Sequence, residues 1–252
     1  MCAAGSGAET VVVSQRFRGP PNSGNGGYVC GLVAQHVSGD AEVTLRAPPP
    51  LDTPMQIVHA GDGVRLLDGD REIASGVPAP ARRTREPEPP AGPPTRAQAE
   101  AASIRYPGHE VHVFPTCFTC GTARERGDGL CIYCGAVDGH PGVVAGPWTP
   151  TPDLAGGDGR VRPEFVWAAL DCPTYWALPG AGTVPAVLGR LAVVFESARP
   201  QPGDDLVVTA WPRPGESEGR KHRAAAALHD AAGTVLARSE ALWIEIDPTR
   251  FA

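Results

Sequence analysis

The chain has 252 residues, of which 42% are hydrophobic and 20% charged, with a formal net charge of −6. That is enough chain for one large or two small domains around a sizeable core. No long basic run is present, which argues against nucleic-acid binding because phosphate contacts need clustered Lys and Arg. No stretch approaches the ~20 apolar residues of a membrane helix, and Met1–Glu9 lacks the charged-then-apolar pattern of a secretion signal. A cytoplasmic protein with neither nucleic-acid nor membrane partner is the expectation.

Taken in chain order, residues 9–18 (ETVVVSQRFR) are β-branched and run into the turn Gly19-Pro20-Pro21, so a strand is predicted. Residues 22–38 carry Val29, Leu32, Val33 and Val37 at helical spacing, and Gly39-Asp40 ends that helix. Strands follow at 41–47, 55–61, 63–67 and 71–77, the last two joined by the hairpin signal Asp68-Gly69-Asp70. Residues 78–94 are too rich in proline for a helix or a central strand and are expected to form a linker. A short helix is predicted over 95–105, with Thr95 as its cap.

A strand at 142–148 opens the second half, followed by a Gly/Asp loop and a single apolar helix over 163–178 with Pro163 in its first turn. Further strands are predicted at 187–197, 205–212, 220–230 and 234–246. The halves echo each other. Residues 43–61 and 193–211 both read strand, Pro-rich turn, strand; residues 64–76 and 226–241 both read strand, Asp/Gly turn, strand. Two copies of one small α+β unit are therefore expected, with bounds 1–78 for the first half, 79–112 for the linker and short helix, and 113–252 for the second half.

Seven cysteines are present, and Cys117, Cys120, Cys131 and Cys134 are spaced as Cys-x2-Cys-x10-Cys-x2-Cys, each pair ending in a glycine, Gly121 or Gly135. That spacing suits one structural zinc held by four thiolates. The alternative makes Leu130–Tyr133 a plain strand. Cys2, Cys30 and Cys172 show no partner pattern, although Cys172 stands beside Asp171.

Three local patterns carry a family resemblance. Asn25-Gly26-Gly27 opens the first helix and looks like the His-Gly-Gly of many hotdog thioesterases, with Asn in place of His. Cys117-Phe118-Thr119-Cys120-Gly121, followed by Asp128-Gly129-Leu130, is similar to a stretch that begins some hotdog domains. Asp171, in Trp167-Ala168-Ala169-Leu170-Asp171, matches the helix-borne acid of one thioesterase subgroup. The chain thus resembles a double hotdog, in which each of two helices is wrapped by a curled antiparallel sheet and the pair forms a pseudo-dimer.

That resemblance implies an acyl-CoA thioesterase-like hydrolase with one site between the halves. Asn25, Gly26 and Gly27 would offer free backbone N–H groups at a helix start, and Asp171 would act as general base or nucleophile. The converse site would pair Arg162-Pro163-Glu164 with Ala34, without an acid, and is expected to be inactive. An acyl-CoA or other acyl thioester is the implied ligand, a homodimer of double hotdogs the implied assembly, and no cofactor beyond the zinc is implied. A non-catalytic acyl-thioester-binding or scaffold protein on the same fold is the alternative. A hydratase would want an Asp and a His close together after a strand, and no such pair stands out. A zinc knuckle acting as an interaction module is a further reading.

Overall fold

A computed structural model describes residues 9–79 and 92–247. Residues 1–8 and most of the Pro-rich stretch 78–94 lie outside the described residues. No helix among the described residues is long and apolar enough to cross a membrane.

The first half contributes β1 (Glu9–Val11), α1 (Gly26–Ala34), β2 (Ala41–Leu45), β3 (Met55–Ala60), β4 (Gly63–Asp68) and β5 (Arg71–Pro78). Then come α2 (Arg96–Ser103), β6 (Gly135–Ala136), β7 (Val144–Trp148), α3 (Pro163–Ala169) and α4 (Cys172–Trp176). β8 (Ala186–Phe195), β9 (Leu206–Pro212), β10 (Lys221–His229) and β11 (Val235–Glu245) complete the chain. The strands form one sheet in the order β1-β3-β4-β5-β2-β8-β11-β10-β9-β7-β6. Every pairing along it is antiparallel.

That order reads the same from both sides of the β2–β8 seam. The sequence β2-β5-β4-β3-β1 on one side corresponds to β8-β11-β10-β9-β7 on the other, and α1 corresponds to α3. The correspondence reaches single hydrogen bonds. Arg46 and Ala47 N–H both donate to Ile73 C=O at 2.8 and 3.3 Å, and Glu196 and Ser197 N–H both donate to Leu236 C=O at 3.0 and 3.2 Å. The seam itself pairs Ala41 with Val193 and Val43 with Leu191. One helix on an antiparallel half-sheet, twice over, is the α+β arrangement that the double hotdog resemblance implies.

Burial follows from what covers each face. In β3, Met55 and Ile57 are buried while Gln56 and Val58 are exposed, the alternation of a strand with one wet face. β9 is buried nearly throughout because α2 covers its outer face. Leu206, Val208 and Ala210 point to the main core, and Val207 and Trp211 join Ala99 and Ala102 of α2. Thr95 and Gln98 form a reciprocal capping box at the start of α2.

α1 has no charged residue and is buried along most of its length, as a helix enclosed by sheet and helix must be. It packs on α3 with almost no separation. A Cβ on Gly27 would lie 2.4 Å from Asp171 Cβ and 2.8 Å from Trp167 O, and one on Gly31 would lie 2.5 Å from Glu164 Cα. These two glycines, one turn apart, let the backbones meet.

Two expected elements differ. Residues 9–18 are a strand only over Glu9–Val11; Gln15–Phe17 turn into a 3-10 helix capped by Ser14, which brings Phe17 to stack on Tyr28 at 4.2 Å. The single helix expected over 163–178 is broken between α3 and α4. The cause is Pro173, which has no N–H to bond Ala169 C=O and whose ring would crowd that carbonyl in a continuous helix; it stands instead in the first turn of α4. The alternative strand over Leu130–Tyr133 does not form; the extended segment is Gly135–Ala136.

Candidate active site

α1 begins at Gly26 because Asn25 caps it. Asn25 holds an extended backbone, and its side-chain oxygen accepts from Tyr28 N–H at 2.9 Å. Its amide group points the other way, toward the sulfurs of Cys117 and Cys172 at 3.6 and 3.8 Å. Gly27 N–H donates to Asp171 Oδ2 at 2.8 Å. Gly26 N–H carries no protein partner among the described residues. The helix therefore presents one spent and one free N–H at its positive end.

Asp171 occupies the break between α3 and α4. Leu170 C=O accepts from the Ser239 hydroxyl at 3.0 Å. Asp171 C=O accepts from the Thr174 hydroxyl at 2.5 Å, and that hydroxyl accepts in turn from Trp243 Nε1 at 2.7 Å. These bonds aim the Asp171 carboxyl across the interface between the halves at α1. The side chain is 1% exposed, and its second oxygen, Oδ1, has no hydrogen-bond partner. Burial pushes the Asp171 pKa up to about 8, while Gly27 N–H and the Asn25 side chain pull it the other way.

Asp171 and Gly26 line a cleft of about 230 Å³ built from both halves. Leu45, Ala47 and Pro49 come from the first half, and Phe114, Leu188 and Trp243 from the second. A bulge helps to open it: Leu242 pairs with Arg190 and Trp243 with Leu188, so Gly189 is left unpaired at the wall. Arg46 also lines the cleft; with Asp171 it is one of the two charged residues that do, and its guanidinium lies 3.6 Å from Glu72.

The four cysteines expected to share one ion are not brought together. Cys117 and Cys120 gather with Cys172, the three sulfurs lying within 4.8 Å of one another. Cys131 Sγ instead faces Arg124 C=O at 3.8 Å, and Cys134 Sγ faces Val208 C=O at 4.0 Å. A left-handed backbone at Cys131 (φ 52°) helps to turn the second pair away. Cys172 was hidden in the sequence because its partners lie 55 and 52 positions earlier; the signal was the Cys-Pro dipeptide, which marks the helix break that brings its buried sulfur to them.

The pseudo-equivalent site keeps a cavity of about 180 Å³, lined by Ala34, Gln35 and Pro163, but lacks the donor and the acid. Pro163 stands where Gly26 does and has no N–H to offer. The side chain of the next residue, Glu164, is buried and accepts from Gln35 Nε2 at 3.2 Å. The mouths also differ in charge: Arg46 in the first half corresponds to Glu196 in the second, which pairs with Arg238 at 2.5 Å.

No family profile and no curated protein matches the chain. Solved structures do. The TesB protein of Mycobacterium avium subsp. paratuberculosis is 15% identical at a TM-score of 0.57, over 94% of this chain and 92% of that one. A candidate thioesterase II from Thermobifida fusca is 16% identical at a TM-score of 0.54, over 97% and 94%. A hot dog protein of unknown function from Alicyclobacillus acidocaldarius is 12% identical at a TM-score of 0.54, over 95% and 93%.

Proposed function

We propose that this chain, a double hotdog by its likeness to those structures along nearly its whole length, hydrolyses an acyl thioester such as an acyl-CoA at one site between its halves. One observation carries the reading: a buried carboxyl from the second half is held against the N-terminus of the helix from the first, one of its oxygens has no partner, and Asp171 and Gly26 both line the shared cleft. In this reading Gly26 N–H holds the thioester oxygen and Asp171 Oδ1 takes a proton from the attacking water. The carbonyl carbon becomes tetrahedral and its oxygen gains negative charge at the positive end of α1; collapse breaks the carbon–sulfur bond and leaves the carboxylic acid, and the departing thiolate takes back the proton from Asp171 to leave as the free thiol. Gly27 positions the acid rather than the substrate. The apolar lining suits an acyl chain, and Arg46 at the cleft suits the phosphates of a CoA where Glu196 at the corresponding position of the second half would repel them. One of the similar structures bears a thioesterase name, which supports the same chemistry.

A second reading, binding without hydrolysis, is favoured by the Gly27 contact: Asp171 lies directly on the helix start, with no room for a carbonyl between them. A panel of acyl-CoAs of graded chain length, followed by release of free thiol, separates the two. Turnover with at least one chain length supports hydrolysis. Saturable binding across the panel with no thiol released overturns it in favour of the binding protein.

A further inference from the structure

Cys117, Cys120 and Cys172 come from two distant segments and meet in a buried cluster. Cys117 Sγ and Cys172 Sγ are 3.6 Å apart. Zinc–sulfur bonds of ~2.3 Å set tetrahedral sulfur–sulfur edges of roughly 3.8 Å, so this spacing fits two thiolates on one ion and is far too long for a disulfide bond. The Cys117–Gly121 segment folds as a tight knuckle. Gly121 N–H donates to Cys117 C=O at 2.9 Å, and a Cβ on Gly121 would lie 2.5 Å from that same oxygen. The Thr119 hydroxyl donates to Ala168 C=O at 3.1 Å and so fastens the knuckle to the end of α3.

Polar hydrogens surround the sulfurs. The Asn25 amide approaches Cys117 and Cys172. Phe114 N–H donates to His112 Nδ1 at 3.1 Å, so His112 Nε2 carries the ring proton. That N–H donates to Cys120 C=O at 3.1 Å and lies 3.4 Å from Cys120 Sγ, so His112 offers the cluster a proton and not a lone pair. Tyr106, Phe114, Tyr133, Tyr175 and Trp176 pack around the cluster, and the Asp171 carboxyl lies 4.0 Å from Cys172 Sγ. Three buried sulfurs this close, beside a carboxyl, form a set that a cation would satisfy.

We propose that Cys117, Cys120 and Cys172 bind one zinc ion, with the fourth coordination position toward the cleft. Three soft thiolates in a closed, aromatic surround select a thiophilic d10 ion over a hard one. Cys117 and Cys172 both line the cleft, which places the open position on that side, where water completes the tetrahedron. The ion ties the knuckle to the first residue of α4 and so fixes the α3–α4 break at which Asp171 sits. This site stands apart from the proposed hydrolysis, since it holds for a binding protein as well.

The test uses the full chain purified without chelator from zinc-supplemented cells. Metal analysis should find about one zinc per chain, and X-ray absorption at the zinc edge should give three sulfurs at ~2.3 Å and one lighter atom. Cys172→Ser should lose the metal, while the double variant Cys131→Ser/Cys134→Ser should keep it. Should Cys172→Ser fail to fold, the absorption spectrum of the unaltered protein and the double variant decide by themselves. Folded protein without zinc, four sulfur ligands, loss of zinc from the double variant, or a disulfide among Cys117, Cys120 and Cys172 found by mass spectrometry would each overturn the proposal.

Discussion

Gly26 and Gly27 stand next to each other, and the structure gives them opposite tasks. Gly27 makes room for Asp171 and holds it with its N–H; Gly26 has no partner for its N–H among the described residues, and in the proposed reading that N–H holds the thioester oxygen. Their separation can be tested because proline is tolerated in the first turn of a helix, and Asn25 already has the extended backbone a following proline demands. Gly26→Pro should remove the donor and lower the hydrolysis rate by ~10²–10³. Gly26→Ala adds the same Cβ against Leu188 but keeps the N–H, and should lose much less. Equal losses in the two variants would mean that crowding, not the donor, matters. The sequence showed the Gly-Gly pair and the acid, but not which glycine does what. That choice depends on where a carboxyl 144 positions away comes to rest, and residue spacing carries no such information.

Element positions were largely legible. Strands rich in Val, Ile and Ala with Gly or Pro turns lie where alternation put them, and the capping box of α2 was readable from Thr95 onward. The helix expected over 163–178 was not, because apolar periodicity runs through Asp171-Cys172-Pro173 while the backbone cannot. Close packing of α1 on α3 also left only a faint trace, Gly27 and Gly31 at one-turn spacing. Gly31→Ala would press a methyl onto Glu164, and overpacking of this kind costs ~1–3 kcal/mol. Denaturant unfolding should therefore show a lower midpoint for Gly31→Ala. An unchanged midpoint would mean that the two helices separate at little cost.

At the scale of the whole molecule, the duplication was legible as a repeat of strand–turn–strand phrases, and the sheet order bears it out down to matching bonds from Arg46 and Glu196. What the repeat could not show is how far the copies have diverged inside, where polar groups settle by tertiary contact. His229 is one such group. It is buried beside Thr209, with Nε2 3.0 Å from the hydroxyl. Burial pushes its pKa down to about 4; Gly233, Asp230 and Glu196 oppose this, and Arg238 reinforces it. In the unfolded chain a histidine takes its proton near pH ~6.5. The unfolded state thus binds more protons between those values, and stability should fall by about 2–3 kcal/mol as pH drops from ~6.5 to ~4. His229→Gln should flatten that part of the stability curve whatever its baseline. An identical slope in the variant would place the acid sensitivity elsewhere.

The central claim is that the two copies share one working site, with the acid from the second half acting at the helix start of the first. The most direct measurement compares thiol release by the unaltered chain and by Asp171→Asn, on the acyl-CoA the unaltered chain turns over fastest. Asparagine is nearly isosteric and still accepts from Gly27 N–H, so the unfolding midpoint should hold. The rate should fall by ~10²–10⁴, the usual cost of losing a general base. An Asp171→Asn chain that keeps its fold and its full rate would contradict the account.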